Sequence, residues 1–227
     1  MEQIDALRIE AARLYAQKGK PLVTLSYAQS LDGSIARRRG EPLAISGADA
    51  LGFTHRLRAA HEAILVGIGT ILADDPRLSV RLIDGPQPQP VVLDTRLRTP
   101  PDARVLKHAK APWIITAAPL EPRKEAALIS SGARIISLPS NADYEVDLPA
   151  LLAFLGGEGI CSLMVEGGAR VITAFLRENL VDQLVLTLAP VLVGGLHALE
   201  APLDLPRLRA FEYQACGEDI IVWGKLK

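Results

Sequence analysis

Between Ile64 and Arg81 the chain reads ILVGIGTILADDPRLSVR, an apolar run that breaks at Gly67-Ile68-Gly69-Thr70 and then meets Asp74-Asp75-Pro76 and Arg81. A buried strand opening into a Gly-x-Gly turn exposes backbone N–H groups at the start of a helix, where an anion can sit. Carboxylates and an arginine just past that turn are the polar groups that a phosphorylated small molecule needs. Further along, Leu163-Met164-Val165 runs into Glu166-Gly167-Gly168-Ala169, a second strand end with glycine amides and a carboxylate, able to face a pyrophosphate. Asp74 and Glu166 fall closest to this expected cleft and could orient a substrate or pass a proton, although a carboxylate at a helix start is more often a cap. Arg58 and Arg81 could reach one phosphate and Arg96 and Arg98, after a different strand, a second; for any one of them alone an ordinary surface ion pair is the plainer reading. Position 72 is Leu72, so the dinucleotide fingerprint lacks its third glycine, and turns that bind nothing explain the glycines equally well. With no Walker A pattern, nucleophile elbow or His-Glu-x-x-His, redox chemistry with a bound cofactor is the best enzyme class.

These residues need strands to end beside one another. Residues 3–17 place Ile4, Leu7, Ala11 and Leu14 on one helical face, an amino-terminal extension over residues 1–20, and Leu22–Leu25 is the first strand. Ser46-Gly47-Ala48-Asp49 has the form of a capping box for a helix running through Leu51, Thr54, Leu57 and Arg58 towards His61. Strands are expected at 91–93, 113–116, 134–138, 163–165, 185–188, 211–214 and 220–223, with helices at 121–131, 147–155 and from Ala169 to Asn179. That alternation predicts a single α/β domain over 21–227: a mostly parallel, mixed central sheet with helices on both faces and the last strands antiparallel at one side. Pro-rich 86–90 is read as a surface loop, and Arg37-Arg38-Arg39 as a solvated turn or a loop covering an anionic ligand. His55 and His61 lack a second ligand at metal spacing and are expected to be structural or surface residues, with no metal site.

The 227 residues suffice for one large core, and 25 basic against 26 acidic residues give no reason to invoke nucleic acid or a membrane surface. Cys161 and Cys216 are too few for a disulfide framework; two buried thiols in a reducing cytoplasm are expected, with neither a leader nor a membrane span.

Taken together, Val23-Thr24-Leu25 to Ser30-Leu31-Asp32-Gly33, Ile64 to Thr70 with Ala73-Asp74-Asp75-Pro76, Val92-Leu93-Asp94-Thr95, Val165 to Gly168, and Leu188-Ala189-Pro190 to Gly194-Gly195 resemble, in that order, the reductase domain of riboflavin biosynthesis. That family comprises the carboxyl-terminal half of a bifunctional deaminase-reductase and its free-standing archaeal and fungal relatives, and the resemblance covers about residues 21–225. It implies a dihydrofolate-reductase-like fold, a homodimer, NADPH as cofactor, and reduction of the ribosyl group of a ribosylaminopyrimidine 5′-phosphate to a ribityl chain by hydride transfer to C1′. The substrate would be 5-amino-6-(5-phosphoribosylamino)uracil or its 2,5-diamino precursor. By resemblance Gly67, Gly69, Thr70, Gly167, Gly168 and Ala169 line the cofactor, and Thr95, Arg96 and Arg98 meet its 2′-phosphate. Ser26, Ser46, Arg58, Asp74, Arg81 and Glu166 match the substrate side, with Asp74 and Glu166 as the catalytic pair. Ser26 stands where many bacterial members of that family carry Lys and archaeal ones can carry Asn, and 41–46 departs from the bacterial pattern. No zinc-deaminase signature occurs, so a separate deaminase is expected in the same pathway. A reductase of the same fold acting on another pterin, pyrimidine or carbonyl compound, and a non-catalytic nucleotide-binding module, are the competing readings.

Overall fold

Consecutive apolar residues in a strand send their side chains alternately to opposite faces of a sheet, so the buried runs of this chain demand helical cover on both sides. The computed structural model, which describes residues 2–117, 121–143, 145–204 and 206–226, has that arrangement. In chain order the first elements are α1 (Glu2–Lys18), β1 (Leu22–Ser30), β2 (Ser34–Ala36), α2 (Ala48–Ala60), β3 (Ala63–Gly67) and α3 (Ile68–Asp74). Next come β4 (Gln89–Leu93), β5 (Trp113–Thr116), α4 (Pro122–Ser130), β6 (Arg134–Ser137), α5 (Leu148–Gly157), β7 (Ser162–Gly167) and α6 (Ala169–Arg177). The last are β8 (Gln183–Ala189), β9 (Leu196–His197), β10 (Arg209–Cys216) and β11 (Asp219–Lys225).

The main sheet has the order β10-β11-β8-β1-β7-β3-β4-β5-β6, and β2 pairs with β9 in a small second sheet. From β8 to β6 the neighbours are parallel; β11 and then β10 add antiparallel at one edge, as the lack of crossover helices near the end predicts. On one face Val23, Leu25, Leu65, Val91, Ile115 and Val165 pack under α5 and α6 through Leu151, Leu155, Ile172 and Phe175. On the other, Ile64, Val66, Val92 and Ile114 meet Ile68 and Ile71 of α3 and Leu128 of α4, while Leu22, Met164, Val185 and Trp223 meet α1 and α2 through Leu7, Ala11, Phe53 and Leu57. The amino-terminal helix is thus part of the core packing.

Three local expectations change. Ser46 does not cap α2: the N-cap is Gly47, without a side-chain cap, and its amide is held instead by Asp219 Oδ2 at 2.8 Å, so a contact from β11 supplies what the local motif does not. The Gly67–Thr70 turn is shorter than expected, because α3 begins at Ile68 and takes Gly69 and Thr70 into its first turn. The two cysteines are free but only half-buried.

Asp32 ties the turn after β1 to the chain after β8. Its carboxylate accepts from Ser30 and Ser34 Oγ at 2.7 Å and from the amides of Val193 and Gly194 at 2.9 and 2.8 Å, and these bonds hold it below the usual carboxylate range. Gly156 marks an equally close approach: a Cβ there would overlap the Gly19 carbonyl, and its own carbonyl accepts from Tyr15 Oη at 2.8 Å. A Cβ at neighbouring Gly157 would meet nothing within 4 Å. Gly156→Ala should therefore lower unfolding free energy by about 1–3 kcal/mol in urea titrations, the usual cost of overpacking. Gly157→Ala should leave it unchanged or slightly higher.

Candidate active site

The adjacent order β7-β3-β4 brings the carboxyl ends of three parallel strands to one edge, and a cleft of about 590 Å³ opens there. Gly67, Gly69, Thr70, Asp74, Thr95, Arg98, Glu166, Gly168 and Ala169 all line it. Of the expected residues, Ser26, Ser46, Arg58, Arg81, Arg96 and Gly167 do not. Ser26 is buried in β1 opposite Val185, and Ser46 lies half-buried before α2.

The glycines do different work. A Cβ at Gly67 would stand 2.7 Å from Val171 Cγ2, so this glycine lets α6 pack against the end of β3. Gly167 and Gly168 have φ of 102° and 86°, a conformation that favours glycine, and turn the chain from β7 into α6, whose first turn no side chain caps. At Gly69 a Cβ would meet nothing within 4 Å, so the missing side chain leaves the space to the cleft. Thr70 Oγ1 donates to Gly167 O at 3.3 Å and joins the two turns.

Glu166 is placed by a bulge. Leu65 pairs with Val165 but Val66 with Gly167, so Glu166 is an extra residue in the ladder between β3 and β7. Its two oxygens accept from Arg58 Nε and Nη2 at 2.5 and 2.7 Å, and Arg58 Nη1 donates to Ser79 O at 3.1 Å. Arg58, on α2, is therefore engaged on all three nitrogens and stands behind Glu166. Asp74, the last residue of α3, is open to the cleft on one side, yet desolvation by the walls pushes its carboxyl above the usual range. Arg81 is exposed; desolvation and the guanidinium groups of Arg58, Arg77 and Arg104 pull it below its ordinary value, a surplus of positive charge that an anion would relieve.

Thr95 and Arg98 sit on a loop built around buried Asp94, whose Oδ2 accepts from the amide and the hydroxyl of Thr99 at 2.7 Å, while Thr116 Oγ1 donates to Thr95 O at 2.8 Å. The basic run also reaches the site: Arg38 and Arg39 border the cleft, and Arg39 pairs with Glu200. Sequence reasoning missed Tyr27 and Arg170 in the lining, because nothing in their local pattern marks them, whereas Leu43, which also lines it, belongs to the divergent stretch 41–46.

Residues 21–222 match the model of the RibD C-terminal domain. The chain belongs to that family. It is 38% identical over 214 residues to a protein of Methanothermobacter thermautotrophicus named 2,5-diamino-6-ribosylamino-4(3H)-pyrimidinone 5′-phosphate reductase, covering 89% of this chain and 97% of that one. It is 37% identical over 216 residues to riboflavin biosynthesis protein RibD of Bacillus amyloliquefaciens, covering 91% of this chain but 57% of that relative's length. Among solved structures it resembles Acinetobacter baumannii RibD, at a TM-score of 0.81 and 28% identity over 95% of this chain and 61% of that one. The yeast riboflavin biosynthesis reductase Rib7 follows at 0.74 and 28%, over 92% and 90%. A dihydrofolate reductase of Enterococcus faecalis, at 0.53 and 15% over 90% of this chain and 96% of that one, shares the fold, which is dihydrofolate-reductase-like.

Both histidines of α2 and its end are buried. His61 Nδ1 donates to Leu57 O at 2.7 Å and Nε2 accepts from Thr24 Oγ1 at 2.8 Å, so the ring is a neutral structural link. Burial lowers His55 and His61 to about 4, from 6.5. The unfolded chain then binds more protons than the folded one between those values, and stability rises with pH across that window. Urea titrations should show stability lost as pH falls from 6.5 towards 4, with a shallower slope in His61→Gln, which removes one of the two groups.

Proposed function

We propose that the chain is an NADPH-dependent reductase of riboflavin biosynthesis, converting the ribosyl group of a ribosylaminopyrimidine 5′-phosphate to a ribityl chain. The observation that carries this reading is that Asp74 and Glu166 face the same cleft as the glycine-marked ends of β3 and β7 and as Thr95 and Arg98. The reductase names of the archaeal relative and of the yeast structure support it. The cleft suits the cofactor: open space at Gly69, the uncapped first turn of α6 and the cationic Arg98 are what a pyrophosphate and a 2′-phosphate require. Gly67, Thr70, Gly168 and Ala169 would line it, with Thr95 beside Arg98.

Bound NADPH supplies a hydride to C1′. The protein's part is to open the sugar and hold it. As the exocyclic nitrogen forms a double bond to C1′, the C1′–O4′ bond breaks and O4′ takes a proton, which leaves C1′ ready for reduction. Asp74, whose carboxyl is held above the usual range, keeps its proton to higher pH than a free aspartate and is the donor in this reading. Glu166, fixed by Arg58, orients the sugar, and Arg81 rather than the fully engaged Arg58 offers its charge to the 5′-phosphate.

The assembly in this reading is a homodimer. Edge strand β10 is exposed along nearly its whole length, with Phe211 59% and Tyr213 75% exposed, and such an edge is a template for a second copy. Deamination falls to a separate protein, and the two free cysteines suit a cytoplasmic setting. Among the described residues no helix is long and apolar enough to cross a membrane.

Purified protein given NADPH and either the 2,5-diamino substrate or its deaminated form should oxidise the cofactor and yield a ribityl product of the expected mass with at least one of them. Turnover of neither would overturn the reading. Asp74→Asn should lower kcat by about 100-fold or more, as loss of a general acid does, while NADPH binding persists. Sedimentation equilibrium should return a dimer mass for the wild type and a monomer for Tyr213→Asp.

A further inference from the structure

The stretch Leu78–Arg81 belongs to no helix or strand, yet side chains hold the main chain of Ser79, Val80 and Arg81. Arg58 Nη1 donates to Ser79 O at 3.1 Å. Gln87 brackets Val80: its Oε1 accepts the Val80 amide at 2.9 Å and its Nε2 donates to Val80 O at 2.7 Å. His55 Nδ1 accepts the Arg81 amide at 3.0 Å. Beneath them Leu78, with φ 52° and 1% exposed, plugs into the core beside Ile64 and Ile71.

His55 is fully buried on α2, one turn before Arg58, and its Nε2 has no hydrogen-bond partner among the described residues. An amide N–H only donates, so Nδ1 carries a lone pair and the ring is the neutral Nε2–H tautomer. Burying an imidazole with one nitrogen unbonded is costly, and an aromatic ring without nitrogen would fill the same space at no such cost. The polar contact it keeps is with Arg81. That contact matters because Arg81 stands among the like charges of Arg58, Arg77 and Arg104, only partly offset by Glu166.

We propose that His55 and Gln87 are positioning residues for substrate binding: they clamp the main chain of Val80 and Arg81 so that the Arg81 guanidinium is aimed at the sugar phosphate before the substrate arrives. This rests on the reading of Arg81 as the phosphate contact. Neither residue touches the cofactor half of the cleft, so the clamp sets affinity for the phosphorylated substrate and leaves NADPH binding alone.

Titration calorimetry on the full chain, with ribose 5-phosphate and NADPH as separate probes, tests it without requiring turnover. His55→Phe fills the pocket but cannot accept, and Gln87→Met keeps length without polarity. Each should weaken ribose 5-phosphate binding by about tenfold, the scale of one lost buried hydrogen bond, with NADPH binding within about twofold of wild type. His55→Asn, which returns an acceptor near the Nδ1 position, should recover most of the loss. Equal weakening of both probes, or no recovery by His55→Asn, would reduce His55 to a packing residue and overturn the proposal. If Arg81→Ala weakens ribose 5-phosphate binding while His55→Phe and Gln87→Met do not, the clamp alone is wrong. If Arg81→Ala has no effect, the reading of Arg81 fails and the clamp with it. Gln87 is half-buried on a loop, so its variant carries the test should His55→Phe fold poorly.

Discussion

The ion pair between Arg58 and Glu166 joins α2 to the bulge of β7, and both sides of the cleft take their geometry from it. The two side chains are only 11% and 14% exposed, so their desolvation is repaid only by the paired, directional bonds they make to each other. Removing one partner of such a pair would strand a buried charge, at a cost of about 3–5 kcal/mol. The consequence is mutual constraint: Glu166 cannot swing into the cleft without abandoning Arg58, and Arg58 cannot reach a ligand without releasing Ser79. A carboxylate held this firmly suits orientation better than proton transfer, whereas Asp74, the proposed donor, has no hydrogen bond or ion pair among the described residues and a carboxyl raised by desolvation.

The two arginine-bearing loops share one construction. Leu78 and Leu97 both adopt a left-handed conformation, with φ of 52° and 49°, and both are buried in the same apolar cluster under α3. A non-glycine residue held there costs roughly 1–2 kcal/mol, which burial of a leucine, at about 1.5–3 kcal/mol, offsets. The leucine faces inward and its neighbours outward, so Arg77 and Arg81 flank one plug and Arg96 and Arg98 the other. Side chains then fix each main chain: His55 and Gln87 in the first loop, Asp94 and Thr116 in the second. Arginines carried on such loops start from a fixed main chain, which lowers the entropy lost on binding an anion.

Much of this was legible in the sequence where the cause is local. Glycines at 67, 69, 167 and 168 follow apolar runs, and a strand that ends in glycine announces its turn whatever lies around it. Some strands were found short, by five residues at β1 and two at β4, because main-chain pairing continues past the apolar residues that reveal it. Ser46 failed as a cap because α2 starts one residue later, with Gly47 as its N-cap and that amide held by Asp219 from far away in the chain. Arg58 was expected on the substrate side and not as the partner of Glu166, and no spacing rule links positions so distant. His55 looked structural, and it is, yet the backbone it holds is that of Arg81. Pairing across the sheet decides these roles, and periodicity along one segment carries no record of it.

Strand order explains why such separate segments meet at all. In a parallel sheet every strand ends at the same edge, so the residues following neighbouring strands are neighbours in space. Here β3 lies between β7 and β4, with Val66 beside Gly167 and Gly67 beside Leu93. Gly67, the Glu166–Gly168 turn and the Asp94–Arg98 loop are thereby forced together by main-chain hydrogen bonds alone, before any side chain takes part. The bulge at Glu166 then uses the one extra residue of β7 to bring this carboxylate to Arg58 while the ladder resumes at Gly167. A change that removed the bulge would shift Gly167 and Gly168 by one position in register and reverse the faces of all three residues. The carboxylate and the glycine turn are therefore a single device, and neither half of the cleft could be altered at that point without the other.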